Sequence, residues 1–445
     1  MNANHDPFVL KLPPEIASHI FLLSMGDLDT PYVFGSVCRG WRQLARSTPQ
    51  LWSTLAFSPP RRMDSTLMET VPHLVVDWLE RSGGLPLSLD VSYFVSNSAG
   101  FPQEVLLSII NAVSQHSGRW QDVCFNLPVA YLPVAYLQYL CPISPPKDLQ
   151  KFSICGTGNA DAAVTYTPRF AMNTTGPMEF MVDSIPLMAF DIAWDRLVQL
   201  DVWRTSLDGF PELIRGAPLL EKCTLVALFL PTADVSETII RSPHLRTLEL
   251  YDLRKDVFTE LMNLLELPSL ESWSFDSVGE DVITENAISF LRRSNSGLQT
   301  LEFYQDQAPS FEDFQRLLQA APRLQCLKLG GDGLLLDYIL EELSTSPSHP
   351  TSPTGNNAGF LSKLQSLEFF DCSGLSAWEC IPLIFRWPHR KLLSLDIKVD
   401  SVIISDEVSS ELVQLVDQGI KLRIYDLSIE EDYLQRFRER TECRN

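Results

Sequence analysis

Cys372, Cys380 and His389 come nearest in this chain to a zinc set, but their spacing matches no common zinc site. The rest of the catalytic vocabulary is equally sparse. Seven histidines are scattered with no H-x-x-x-H or H-E-x-x-H pair among them. A G-x-S-x-G elbow and a Walker loop are both absent. Gly330-Gly331-Asp332-Gly333 lacks the lysine and the spacing of a phosphate loop, so it reads as a turn between repeats. Glu341-Glu342 reads as a solvated helix face, and the sequon Asn173-Thr174-Thr175 as a chance match. What remains is non-covalent recognition by aromatics, carboxylates and surplus apolar side chains. The expectation is a chain that is not an enzyme, with no catalytic residue, no metal and no cofactor.

The recognition residues lie in a repeated phrase, L-x-x-L-x-L with substitutions. Its clearest copies begin at Leu197, Leu220, Leu245, Leu270, Leu298, Leu324, Leu364 and Leu392, in steps of 23, 25, 25, 28, 26, 40 and 28 residues. Weaker copies begin at Trp52, Pro86, Trp120 and Leu149, a degenerate one lies near Phe180-Met181-Val182, and a last strand is Leu422 to Tyr425. A proline often stands two residues before the anchor leucine, as at Pro218, Pro243, Pro268 and Pro322, where it closes a helix and starts a strand. Between copies, Phe258, Leu261, Leu264 and Leu265 share a helical face, as do Phe311, Phe314, Leu317 and Leu318 behind a Ser310 cap. Each unit is therefore a strand plus a helix. One unit cannot bury its own apolar face, but stacked units share a core, with parallel strands on a concave side and helices on a convex side. The fold class is α/β.

Alternation along each strand places every second residue on the open face. The row four residues after the anchor carries Asp201, Glu249, Glu302 and Glu368, and the row six after it carries Trp203, Tyr251, Tyr304 and Phe370. Exposed aromatics rimmed by charge are typical interface anchors. These eight residues are expected to hold a partner protein, with its basic segment against the acids.

The N-terminal stretch follows a different pattern. Pro13 and Pro14 suit the first turn of a helix, followed by Ile16, Ile20 and Leu23 at i, i+4, i+7. Thr30-Pro31 reads as the N-cap and first residue of a second helix. One apolar face of that helix runs from Phe34 through Val37, Cys38 and Trp41 to Leu44 and Ala45. Thr48-Pro49 starts a short third turn with Leu51 and Trp52. Its apolar residues exceed what so small a core can use, as in half of an interface.

Leu12-Pro13-Pro14-Glu15-Ile16, Ile20-Phe21, Val37-Cys38-Arg39, Trp41-Arg42 and Thr48-Pro49-Gln50-Leu51-Trp52 stand as in the F-box. The stretch resembles the version abundant in fungi, although Gly40 occupies a position where a basic residue is commoner. Trp78-Leu79-Glu80-Arg81-Ser82-Gly83 resembles the segment that often follows it. The remainder resembles leucine-rich-repeat proteins. The resemblance implies an F-box over 1–57, a degenerate leucine-rich-repeat solenoid over 58–427 with a loop insertion at 344–360, and a C-terminal capping helix and tail over 428–445. That helix opens on the capping-box match Ser428-Ile429-Glu430-Glu431. The family implies that Leu12, Pro13, Ile16, Ile20, Val37, Cys38 and Trp41 dock a Skp-type adaptor. It also implies that the chain is the substrate-recognition adaptor of a cullin-RING E3 ubiquitin ligase. The alternative is a leucine-rich-repeat scaffold with no ligase role.

Charge and composition exclude other classes. The net charge is −21, and residues 1–62 hold six basic against four acidic residues, so the acidity lies wholly in the body that follows. Such a body disfavours nucleic acid and anionic membranes as partners. No apolar run approaches the length of a membrane span. The nine cysteines lack C-x-x-C spacing and no signal peptide opens the chain, so a reduced compartment, cytoplasmic and/or nuclear, is expected. The segment 344–360 has the composition of a mobile surface loop, and its Ser346-Pro347 and Ser352-Pro353 match kinase-site patterns.

Overall fold

The structure, a computed structural model, describes residues 11–25, 30–58, 65–92, 103–128, 140, 142–157, 170–172, 176–230, 239–277, 285–305, 310–345 and 360–442. Asn173-Thr174-Thr175 and residues 346–359, with both Ser-Pro pairs, lie outside them. The chain divides into two compact units, Met1–Leu220 and Glu221–Asn445.

The first unit opens with helices α1 (Pro14–Leu23), α2 (Thr30–Val37) and α3 (Arg39–Arg46) and a 3-10 turn, Pro49–Trp52. Strand β1 (Thr54–Phe57), helix α4 (Ser65–Arg81), strand β2 (Leu87–Ser92), helix α5 (Gln103–Gln115) and strand β3 (Trp120–Pro128) follow. Then come β4 (Lys151–Thr157), β5 (Phe170–Met172), β6 (Glu179–Asp183), β7 (Phe190–Ile192), β8 (Gln199–Trp203) and helix α6 (Phe210–Gly216). Strands β1, β2, β3, β4, β6 and β8 pair in that order, all parallel, while β5 pairs with β7. The degenerate phrase at Phe180-Met181-Val182 is β6.

The second unit alternates strands and helices. It runs β9 (Lys222–Val226), β10 (Ile240–Arg241), β11 (Thr247–Tyr251), α7 (Lys255–Leu264), β12 (Leu265–Glu266), β13 (Ser272–Ser277), α8 (Glu285–Ser294), β14 (Thr300–Gln305), α9 (Phe311–Gln319), β15 (Cys326–Asp332) and α10 (Gly333–Ser344). It continues with β16 (Ser366–Ser373), α11 (Cys380–Phe385), β17 (Ser394–Val399), α12 (Asp406–Asp417), β18 (Leu422–Asp426), β19 (Glu431–Asp432) and α13 (Tyr433–Glu442). Strands β9, β11 and β13 to β18 form a parallel sheet, closed at its end by antiparallel β19.

The phrase explains the register. Leu248, Trp273, Leu301, Leu327, Leu367 and Leu395 pair in one row across the sheet, and each is at most 1% exposed. A one-residue slip of any strand would turn that row to solvent, so burial fixes the pairing. Backbone links extend each ladder before the strand begins. Gln299 and Thr300 donate to the Glu271 carbonyl, and Gln325 and Cys326 donate to that of Gln299. Ser310 caps α9 by accepting the Asp313 N–H, as its position in the sequence implies.

Four sequence expectations require correction. The second helix breaks in two at Cys38, whose backbone is extended (φ −157°, ψ 173°) while its Sγ accepts the Trp41 N–H and caps α3. Thr30 is the first helical residue and not the cap before it. Gly330 and Gly331 form no turn and lie inside β15, where their lack of a Cβ matters. A Cβ on Gly330 would lie 2.6 Å from ring atoms of Tyr304 and Phe370, and one on Gly331 (φ +103°) would lie 1.8 Å from the Gln305 carbonyl oxygen. Finally, Ser428 opens no helix. Its N–H and hydroxyl both go to Asp426 Oδ1, β19 follows, and α13 begins at Tyr433 with the Asp432 carboxylate accepting the Gln435 N–H.

Candidate interaction sites

In the N-terminal helices a small aromatic core decides which side chains stay outside. Phe21 stacks on Phe34 (centroids 4.2 Å apart, planes 19° apart) and meets Trp41 at 5.0 Å. This core turns Ala17 and Phe21 of α1 inward and leaves Ile16 50% and Leu23 75% exposed. On α2, Val33 and Val37 are 51% and 57% exposed. Of the residues the sequence proposes for docking, Pro13, Ile16 and Val37 are exposed, while Leu12, Ile20, Cys38 and Trp41 are half-buried. Pro13 contributes its carbonyl to the first turn, accepting the N–H groups of Ile16 and Ala17. Trp41 packs in the aromatic core, and Cys38 serves as a cap. Sequence periodicity placed Ile16 and Leu23 on one face, but nothing in it showed that the face points outward. Val33 carried no signal of its own.

The open face of the second unit brings the other predicted residues together, with partners that change its electrostatics. Glu302, Lys328, Glu368 and Asp396 lie opposite one another on β14 to β17. Lys328 lies 3.5 Å from Glu302 and 3.8 Å from Glu368; Lys398 lies 2.9 Å from Glu368 and 4.0 Å from Asp396. Burial acts to lower the Lys328 pKa, but Glu302 and Glu368 together outweigh it and hold the ammonium above its ordinary value. Glu249 is met by Lys222 at 2.8 Å and by the Thr224 hydroxyl at 3.0 Å. The carboxylates of the acidic row are therefore bridged by lysines. Both Lys328 and Lys398 stood in the exposed rows of the sequence, where their neighbours across the strands could be read once register was known.

The aromatic row is tighter. Tyr304 and Phe370 stack at 6.2 Å and 27°, leaning together over Gly330 between them. Tyr251 is raised above the ordinary phenol value, first by burial and then by Glu249 and Glu302, while a hydrogen bond with the Ser274 side chain opposes the shift. In the first unit, on β8, Trp203 is 37% exposed and Asp201 accepts a hydrogen bond from Gln199 at 2.9 Å.

The zinc candidates do not converge. Cys372 is buried and lies 3.0 Å from the Phe370 carbonyl, Cys380 is half-buried, and His389 is exposed. Among the described residues no group of three His, Cys, Asp or Glu side chains is placed to hold a metal ion. None of their helices is long and apolar enough to cross a membrane.

Residues 9–58 match the F-box-like family model. The helices that leave Ile16, Leu23, Val33 and Val37 exposed thus belong to an F-box-like domain. No curated protein matches the chain.

Proposed function

We propose that the chain is an F-box protein of fungal type with C-terminal leucine-rich repeats, the substrate-recognition subunit of a cullin-RING ubiquitin ligase. The F-box-like domain docks a Skp-type adaptor, and the repeats hold a target protein on their open face. One observation carries this reading: Ile16, Leu23, Val33 and Val37 lie within the matched segment and are each at least half exposed. So small a domain has little apolar surface to spare, and a cluster left outside it fits a partner. The alternation of parallel strands with helices supports the repeat assignment. Target capture falls to Tyr251, Tyr304 and Phe370, with Trp203 and Asp201 on the first unit. Glu249, Glu302 and Glu368 accept a basic segment only as it displaces the lysines that bridge them. The chain itself catalyses nothing; it raises the effective concentration of target beside the conjugating enzyme. It acts in the cytoplasm and/or nucleus.

Co-purification tests this. The wild-type chain should form a stoichiometric complex with a recombinant Skp-type adaptor. Ile16→Asp combined with Val37→Asp should lose it with little change in thermal unfolding, because both side chains are exposed. A folded wild-type chain that takes up no adaptor would defeat the reading and leave a repeat scaffold.

A further inference from the structure

Helix α3 carries Arg39, Arg42 and Arg46 along one side, at i, i+3 and i+7, away from buried Leu44. Arg42 and Arg46, together with Arg81 at the end of α4, line an open cavity of about 250 Å³, which Tyr32, Ser36 and Trp52 complete. The arginines are held differently. Arg81 pairs with Asp77 at 2.6 Å and lies over the Trp52 ring at 4.6 Å. Arg42 donates its Nε–H to the Gly35 carbonyl at 2.7 Å, which pins its guanidinium to the cavity wall. Arg46 is exposed and has no carboxylate partner within 4 Å among the described residues. In a chain of net charge −21, Asp77 answers Arg81, while Arg42 and Arg46 have no carboxylate within 4 Å among the described residues. The cavity also adjoins the exposed apolar stripe, because Ser36 stands three residues after Val33, on the same side of α2.

We propose that this cavity receives carboxylate side chains of the adaptor that docks on Val33 and Val37. The adaptor is then drawn in by charge before apolar contact locks it. This rests on the adaptor reading above. Charge complementarity and continuity with the apolar stripe select this occupant, and the acidic body of the chain disfavours nucleic acid.

The test follows association kinetics of a recombinant Skp-type adaptor with the immobilised full chain, from low to high sodium chloride. For the wild type, the association rate should fall at least about tenfold across that range, as in electrostatically steered encounters. Arg42→Glu combined with Arg46→Glu should associate about tenfold more slowly at low salt and lose most of the salt dependence. A wild-type rate indifferent to salt overturns the inference while leaving adaptor docking intact, and it decides the matter even if the variant misfolds. No adaptor binding at any salt overturns both. If inorganic phosphate quenches Trp52 fluorescence without slowing the adaptor, the cavity belongs to a free anion and the inference fails.

Discussion

Burial pushes the Cys124 thiol up to about 11, helped by Asp90, and those of Cys155 and Cys372 up to about 12, with neighbouring carboxylates adding to the effect. The thiolate is the reactive form, so these cysteines are inert side chains of a sheet and not latent nucleophiles. At pH 8 iodoacetamide should modify Cys124 about a hundredfold more slowly in the folded chain than in urea, by its lower thiolate fraction alone. The same shift acts on stability. Unfolded thiols lose their protons above the ordinary value of 9.0, while the folded ones keep theirs. Their contribution is therefore whole below pH 9 and drains away as pH rises through 11 and 12. Urea midpoints at pH 8.5 and 10.5 should diverge less for Cys124→Ala with Cys155→Ala than for the wild type; an equal divergence would refute the assignment. Residue types alone hid this, because a lone cysteine in an L-x-x-L-x-L phrase gives no measure of its depth. They also hid the division of labour between Trp41 and Val37. Both stand in the docking pattern, yet only Val37 is exposed, since the Phe21–Phe34 stack takes up Trp41.

The strands and helices were largely legible because the apolar phrase dictates both the element and its register. What the sequence did not show is how the backbone turns at or near the end of several strands. Seven positions after the anchor, Ser184, Arg204, Ala227, Asp252, Gly331 and Asp371 all adopt positive φ, at 60°, 48°, 51°, 52°, 103° and 47°. These four side-chain types and one glycine share no pattern that a sequence reader would group. Where the residue ends a strand the reason is geometric: it turns the backbone off the sheet while its N–H stays in the ladder, as where Ala227 donates to the Tyr251 carbonyl at 2.9 Å. Gly331 and Asp371 lie inside β15 and β16, where the register shifts and pairing resumes. For an L-residue the conformation costs about 1–2 kcal/mol. Tertiary pairing overrides that local preference, and replacing Ala227 by glycine should recover about 1 kcal/mol in denaturant unfolding. A loss of stability instead would mean that the strain is absent. Arginines in or beside the core, half-buried Arg119 and Arg293 and buried Arg390, are a second device with no sequence signature. Arg119 ties down the end of α4 through the Leu79 carbonyl, Arg293 the end of α7 through those of Met262 and Leu265, and Arg390 donates to that of Leu361.

At the scale of the molecule, the sequence places a boundary at residue 57, between N-terminal helices and repeats. The first compact unit spans both sides of it, from Met1 to Leu220. The reason is aromatic. Trp52 is 1% exposed, but much of its cover comes from beyond the F-box-like segment. Trp78 meets its ring edge-on at 4.9 Å, Arg81 lies over its face, and Tyr32 of α2 packs against both tryptophans at 5.4 and 5.5 Å. Cut after residue 58, the three helices keep Phe21, Leu44, Ala45 and Leu51 as a core but strip Trp52 of its lid. A chain of that length buries too little surface to absorb the loss. A fragment spanning 1–58 should therefore show weak near-ultraviolet circular dichroism and no cooperative thermal transition, whereas one spanning 1–220 should unfold cooperatively. The contrast bears on function. If the docking helices depend on the first repeat for their order, an adaptor bound to them is held at a fixed angle to the strands that follow, β1 and β2. A target captured further along the first unit is then presented in a set direction and not on a loose tether. Cooperative folding of 1–58 alone would remove that rigidity argument.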